Sequence, residues 1–96
     1  MLERLKEIED RYERLSGLLA DPEVLKDPAQ YTNFAREQAS LEEFMVPYTR
    51  LKQVLAAIAE NETMLDDPDP EIRSLARDEL TMLREEKDRI EAQLKT

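Results

Sequence analysis

The sequence has no cysteine, histidine or tryptophan, and it has one glycine in 96 residues. Without cysteine the chain can form neither disulfides nor thiolate metal sites, and without histidine it lacks the usual zinc ligand and the usual general base. A single glycine cannot build a glycine-rich loop that cradles a phosphate. We therefore expect no enzyme activity, no catalytic residues, no cofactor and no metal site.

Long apolar runs and basic clusters are also missing. No run approaches the roughly 20 apolar residues that span a bilayer, and the first residues resemble neither a secretory signal nor a transit peptide. Acidic residues outnumber basic ones by 23 to 14, which gives a net charge of −9, and Lys and Arg never cluster beyond two neighbours. Phosphate backbones repel such a surface. We predict a cytoplasmic protein that does not itself bind nucleic acid or a membrane, and whose charge either suits a basic protein surface or only maintains solubility.

The first apolar stripe predicts a helix over about residues 2–19. Charged residues, Glu9 among them, are predicted to face outward. Asp21 and Pro22 then predict a short helical turn that places Val24 and Leu25 against the neighbouring helices. The inward positions of the first helix are Leu2, Leu5, Ile8, Tyr12, Leu15 and Leu19.

A long central helix is predicted over about residues 28–66, starting at Asp27 and Pro28. Pro47 lies in its interior, where it removes the hydrogen bond to the carbonyl of Glu43 at a cost of about 3 kcal/mol. We predict a kink there, because the stripe stays in phase and no turn-forming residue lies nearby; a break into two helices is the alternative. The stripe contains Tyr31, Phe34, Leu41, Met45, Tyr48, Leu51, Leu55, Ile58 and Leu65.

A firm turn at Pro68 and Pro70 precedes the third helix, which is predicted over about residues 70–94. Short connections make successive helices antiparallel. We therefore predict an all-α fold for a single domain of residues 1–96: an elongated antiparallel three-helix bundle with a long central helix kinked near Pro47. The inward residues of the third helix are Ile72, Leu75, Ala76, Leu80, Leu83, Ile90 and Leu94.

The turn before the third helix contains three acids at the spacing of the first ligands of a calcium loop, namely Asp67, Asp69 and Glu71. Such a loop needs glycine at its sixth position and a bidentate glutamate at its twelfth, where this chain has Ile72 and Asp78. We interpret these acids as helix caps at a solvated turn.

Five segments of the chain occur in an order typical of one protein family. They are Met1 to Leu5, Leu18 to Val24, Asp27 to Tyr31, Met64 to Ile72 and Leu75 to Leu80. Together they resemble the N-terminal domain of bacterial class I peptide chain release factors, and the resemblance covers nearly the whole chain. The turn from Leu65 to Pro68 is more similar to the type that reads UAA and UAG than to its UAA/UGA paralogue.

The resemblance implies a fragment of a longer release factor. In that family a Gly-Gly-Gln motif promotes hydrolysis of peptidyl-tRNA and a tripeptide reads the stop codon. This chain contains no Gly-Gly-Gln, and the resemblance implies that it lacks the codon-reading motif as well. The resemblance implies a monomeric ribosome-contacting arm whose partners are a basic ribosomal protein at the stalk base and the GTPase release factor. We expect the chain alone to be unable to terminate translation.

The candidate contact surface is the acidic tip, defined as residues 60–71, which has six acids and no Lys or Arg. The first corner, residues 21–27, is the second candidate. The predicted partner-binding residues are Glu62, Asp66, Asp67, Asp69 and Glu71 in the acidic tip, with Asp21 and Glu23 in the first corner.

A structural coiled-coil module is the alternative function. The first helix is predicted to cover only the first half of the central helix, and the third helix only the second half. The apolar stripes left uncovered would then pair with those of a second chain. A stable dimer in solution would favour this alternative, and a monomer would favour the arm.

Overall fold

The structure is a computed structural model that describes the backbone of residues 2–95 and the side chains of residues 3–95. This part of the chain has four helices and no strand: α1 (Leu2–Leu19), α2 (Pro22–Leu25), α3 (Pro28–Met64) and α4 (Pro70–Lys95). The prediction of an all-α fold with three main helices is confirmed, and α2 is the predicted short turn.

The central helix α3 continues through Pro47 and has 37 residues. The prediction of one helix rather than two is therefore confirmed. The helix ends at Met64, slightly before the predicted end, because the next three N–H groups, those of residues 65–67, donate to carbonyls three residues earlier. Such tighter bonds are common in the last turn of an α-helix.

The chain divides into two compact units at the bond between Val46 and Pro47. The first unit contains α1, α2 and the first part of α3, and the second contains the rest of α3 and α4.

The core of the first unit contains Leu5, Leu15 and Val24. Glu9 is only 9% exposed, so its predicted outward position is wrong. Glu9 lies four residues after Leu5, which places it on the same helix face as the core residues. Lys6 reaches its carboxylate, with Nζ 3.6 Å from Oε1. The inward prediction for Leu2 concerns a side chain outside the described residues.

Two other predicted core positions of the first unit are exposed. Leu25 is 55% exposed, whereas its neighbour Val24 is buried. Tyr31 is 39% exposed, one turn after the start of α3. Val24 and Leu25 lie about 100° apart on α2, so burial of Val24 leaves Leu25 outside. The inward predictions for Leu25 and Tyr31 are both wrong.

The core of the second unit forms between α3 and α4 around Leu51, Val54, Leu83 and Ile90. Val54 is 1% exposed, whereas Leu55, which the predicted stripe used instead, is half-buried. Leu75 is 68% exposed, so its inward prediction is wrong. Leu75 and Ala76 are neighbours about 100° apart on the helix, and Ala76 is the one that lies in line with Leu80 and Leu83.

Candidate partner-binding surface

The acidic tip connects α3 to α4, and two of its carboxylates hold its backbone. Oδ1 of Asp67 accepts a hydrogen bond from the N–H of Asp69 at 2.8 Å, and Oδ1 of Asp69 accepts one from the N–H of Glu71 at 2.9 Å. Asp69 therefore acts as the N-cap of α4, and Pro70 occupies the first helical position. These two predicted partner-binding residues have a structural role in the tip itself.

Arg73 brings a positive charge to the acidic tip from the first turns of α4. Its Nη1 donates to the carbonyl oxygen of Asp67 at 2.7 Å and to that of Pro68 at 3.0 Å. This contact was not predicted from the sequence, because Arg73 lies two positions beyond the acidic stretch. The available signal was a long cationic side chain three residues after Pro70, the first residue of α4.

The other predicted residues of the acidic tip differ in how available they are. Asp66 and Glu71 are exposed, and among the described residues no cationic group lies within 4 Å of either carboxylate. Glu62 lies 3.9 Å from Nη2 of Arg84, and both side chains are more than half exposed. Exposed pairs of this length contribute little to stability. The acidic tip therefore presents Asp66, Glu71, the second oxygen of Asp69 and a weakly paired Glu62.

The first corner repeats the capping arrangement in the other unit. Oδ1 of Asp21 accepts from the N–H of Glu23 at 2.9 Å, and Oδ1 of Asp27 accepts from the N–H of Gln30 at 3.2 Å. Glu23 lies 3.5 Å from Nζ of Lys26. A nearby lysine makes the first corner less negative than its acids alone would make it.

Two bidentate arginine–glutamate pairs connect α3 to its neighbours, one in each unit, in addition to the longer contact between Glu62 and Arg84. Arg11 donates from Nε and Nη2 to Glu37, both at 2.6 Å, and Arg50 donates likewise to Glu86 at 2.7 and 2.8 Å. Hydrogen bonds from the guanidinium groups hold the pKa of Glu37 and the pKa of Glu86 below their usual range. Neither pair was predicted from the sequence, because partners 26 and 36 residues apart have no local signature.

A shallow groove lies on the described part of each unit. The groove of the first unit, of about 310 Å³, is lined by Tyr12, Ala35, Gln38, Ala39 and Glu42. A hydrogen bond from the Tyr12 hydroxyl to Glu42 raises the pKa of Tyr12. The groove of the second unit, of about 300 Å³, has Leu55 and Ile58 beside charged residues.

In residues 2–95 no group of three acidic side chains is arranged to hold a metal ion.

None of the described helices is long and apolar enough to cross a membrane.

Comparison with known proteins identifies the family. Residues 8–96 match the PCRF domain family. The chain is 38% identical over 96 residues to peptide chain release factor 1 of Bacillus licheniformis, 41% identical over 97 residues to that of an Exiguobacterium species, and 35% identical over 96 residues to that of Bacillus subtilis. Each alignment covers 99% of this chain and 27% of the relative. No solved structure matches the chain.

The fold and the charged surfaces define an all-α, strongly acidic helical chain. It belongs to the PCRF domain family. The predicted resemblance to bacterial class I release factors is confirmed, and the chain spans about a quarter of the length of the curated relatives it matches.

Proposed function

We propose that this chain is the ribosome-contacting N-terminal part of a translation termination factor, and that it acts in the cytoplasm by binding rather than by catalysis. The match of residues 8–96 to the PCRF domain carries this proposal, together with identity to release factor 1 proteins along the whole chain. Because the chain lacks the Gly-Gly-Gln motif, hydrolysis of peptidyl-tRNA would belong to another part of such a factor.

The partner we propose for the acidic tip is a basic ribosomal protein at the stalk base, with the GTPase release factor as a second partner. Asp66 and Glu71 support this choice, because both are exposed and have no cation partner within 4 Å among the described residues. Complementary charge speeds association and selects the partner more than it raises affinity. The first corner is a weaker candidate because Lys26 lies beside Glu23.

The test replaces Asp66, Asp67 and Asp69 by Asn in this chain and measures its affinity for an isolated stalk-base complex at low salt. Asparagine caps a helix about as well as aspartate, so the start of α4 should be preserved while three charges are removed. We expect affinity to fall by about tenfold and its salt dependence to become shallower.

The matched control removes three exposed charges from α1 by Glu3→Gln, Glu7→Gln and Glu13→Gln. This variant has the same net charge as the tip variant, so a general charge effect would weaken both equally. Equal affinities for the two variants would rule out the acidic tip as the contact surface. If Asp21→Asn with Glu23→Gln lowers the affinity more than the tip variant does, the contact surface is the first corner.

The chain acts as a monomer in this proposal. Sedimentation at several concentrations tests that point, since a stable dimer would favour the coiled-coil alternative. The net charge of −9 opposes self-association.

A further inference from the structure

The outer face of α4 has two large apolar side chains that no other part of the described chain covers. Leu75 is 68% exposed and Met82 is 64% exposed. They are seven residues apart, so they lie almost in line along the helix, about 11 Å from each other. The core of the same helix is formed by other residues, with Ala76, Leu80 and Leu83 buried. The helix therefore has a second apolar stripe in addition to the one that packs on α3.

Acidic side chains surround this second stripe. On a helix surface the neighbours of a residue are those three and four positions away. For Leu75 these are Glu71, Ile72, Asp78 and Glu79, and for Met82 they are Asp78, Glu79, Glu85 and Glu86. Five of these six residues are carboxylates and none is Lys or Arg. We call Leu75, Met82 and the acids at positions 78, 79 and 85 the α4 outer face.

Most of these charges are not neutralised within the chain. Glu86 is held by Arg50, whereas Asp78, Glu79 and Glu85 have no cationic group within 4 Å among the described residues. The carboxylates therefore remain available to a positively charged partner.

We propose that the α4 outer face docks a basic amphipathic helix of another protein. Two apolar side chains two turns apart match the spacing of a helical seam, and flanking carboxylates match Lys or Arg beside that seam on the partner. A second copy of this chain is disfavoured by its net charge of −9, and nucleic acids and anionic membranes are repelled by the same carboxylates.

This inference does not rest on the proposed function. The α4 outer face lies beyond the acidic tip, and its recognition uses apolar contacts that the acidic tip does not provide. The tip variant Asp66→Asn, Asp67→Asn, Asp69→Asn should therefore keep the binding described here.

The test uses a synthetic helical peptide of about three heptads, with Leu at positions a and d, Lys at positions e and g, and one Trp at an outer position. The chain has no Trp, so the fluorescence anisotropy of the peptide reports binding without background. We expect Leu75→Ala with Met82→Ala to weaken binding by about tenfold. Because both side chains are exposed and alanine favours helix, the fold of this variant should be intact, and circular dichroism checks it.

The matched control, Leu25→Ala with Val46→Ala, removes two exposed apolar side chains elsewhere and should bind like the original chain. Asp78→Asn with Glu79→Gln should also weaken binding and reduce its salt dependence, whereas Glu3→Gln with Glu7→Gln should not. A peptide with Glu in place of Lys should not bind.

Equal binding by the two apolar double variants would overturn the proposal, as would absence of binding to the basic peptide. A further contradicting outcome is a dimer of the original chain that Leu75→Ala with Met82→Ala converts to a monomer, because the occupant would then be a second copy.

Discussion

Arg50 and Glu86 form a two-pronged ion pair between α3 and α4, with Nε and Nη2 of the arginine 2.7 and 2.8 Å from the two carboxylate oxygens. Arg11 and Glu37 form the same arrangement between α1 and α3 in the first unit. Such paired hydrogen bonds determine the orientation as well as the distance of the two side chains. Each unit therefore has a two-pronged ion pair that constrains how its two long helices pack.

The two glutamates predict how stability depends on pH. Their pKa values are lowered in the folded chain below the ordinary value of 4.5, first through hydrogen bonds from the arginines. The stabilisation is therefore present above that value and is lost as the pH falls through the lowered pKa. In urea unfolding between about pH 6 and about pH 3, the original chain should lose more stability than the Glu37→Gln, Glu86→Gln variant. Because the remaining carboxylates are common to both proteins, equal pH profiles would contradict this prediction.

The cap at Asp69 predicts a difference between two substitutions at one position. Asp69→Ala removes the acceptor for the N–H of Glu71 and should lower the free energy of unfolding by about 1 kcal/mol. Asp69→Asn keeps an acceptor and should cost only a few tenths of that amount. Urea unfolding followed by circular dichroism measures both. Equal losses would show that charge, rather than the hydrogen bond, is what Asp69 contributes.

Burial predicts opposite outcomes for two leucines of the second unit. Leu51 is 1% exposed, so Leu51→Ala should destabilise the chain by about 2–5 kcal/mol through lost contacts and a cavity. Leu75 is 68% exposed, so Leu75→Ala should change stability by less than about 0.5 kcal/mol. The urea midpoints of the two variants provide the comparison. A similar loss from both would mean that Leu75 has a packing partner in solution.

The position of Pro47 inside α3 predicts that replacing this proline stabilises the chain. It lies inside α3, has no N–H to donate and disfavours the helix that contains it. Pro47→Ala should therefore raise the free energy of unfolding by about 1–3 kcal/mol. The control is Pro22→Ala, because Pro22 is the first residue of α2, where proline is favourable, and no gain is expected. A lower thermal midpoint for Pro47→Ala would contradict the prediction.

The helices could be predicted from sequence because their signals are local. Asp21, Asp27 and Asp69 each precede a proline, and the structure begins a helix at each of these prolines. A cap and its proline involve adjacent residues, so no knowledge of packing is needed to recognise them.

Burial could be predicted only in part, because periodicity alone does not show which residues at the sides of an apolar stripe are buried. Val54 and Leu55 are adjacent apolar residues, and only the position of α4 determines which of them is buried. The burial of Glu9 was missed for the same reason, since its charge suggested solvent while its spacing from Leu5 suggested core.

The acids of the tip could be predicted as a charged turn, but the contact from Arg73 depends on a side-chain path that the sequence does not specify.

That path has a consequence for recognition. The guanidinium of Arg73 donates to the carbonyl oxygens of Asp67 and Pro68, so both acceptors are already hydrogen-bonded when a partner arrives. Arg73 therefore competes with a partner's cation for these two carbonyl oxygens. The exposed carboxylates, such as those of Asp66 and Glu71, remain for the partner. Shortening the Arg73 side chain would free the carbonyl oxygens of Asp67 and Pro68. Such a variant should bind cations more tightly, but it should discriminate less between partners that present their positive charge differently.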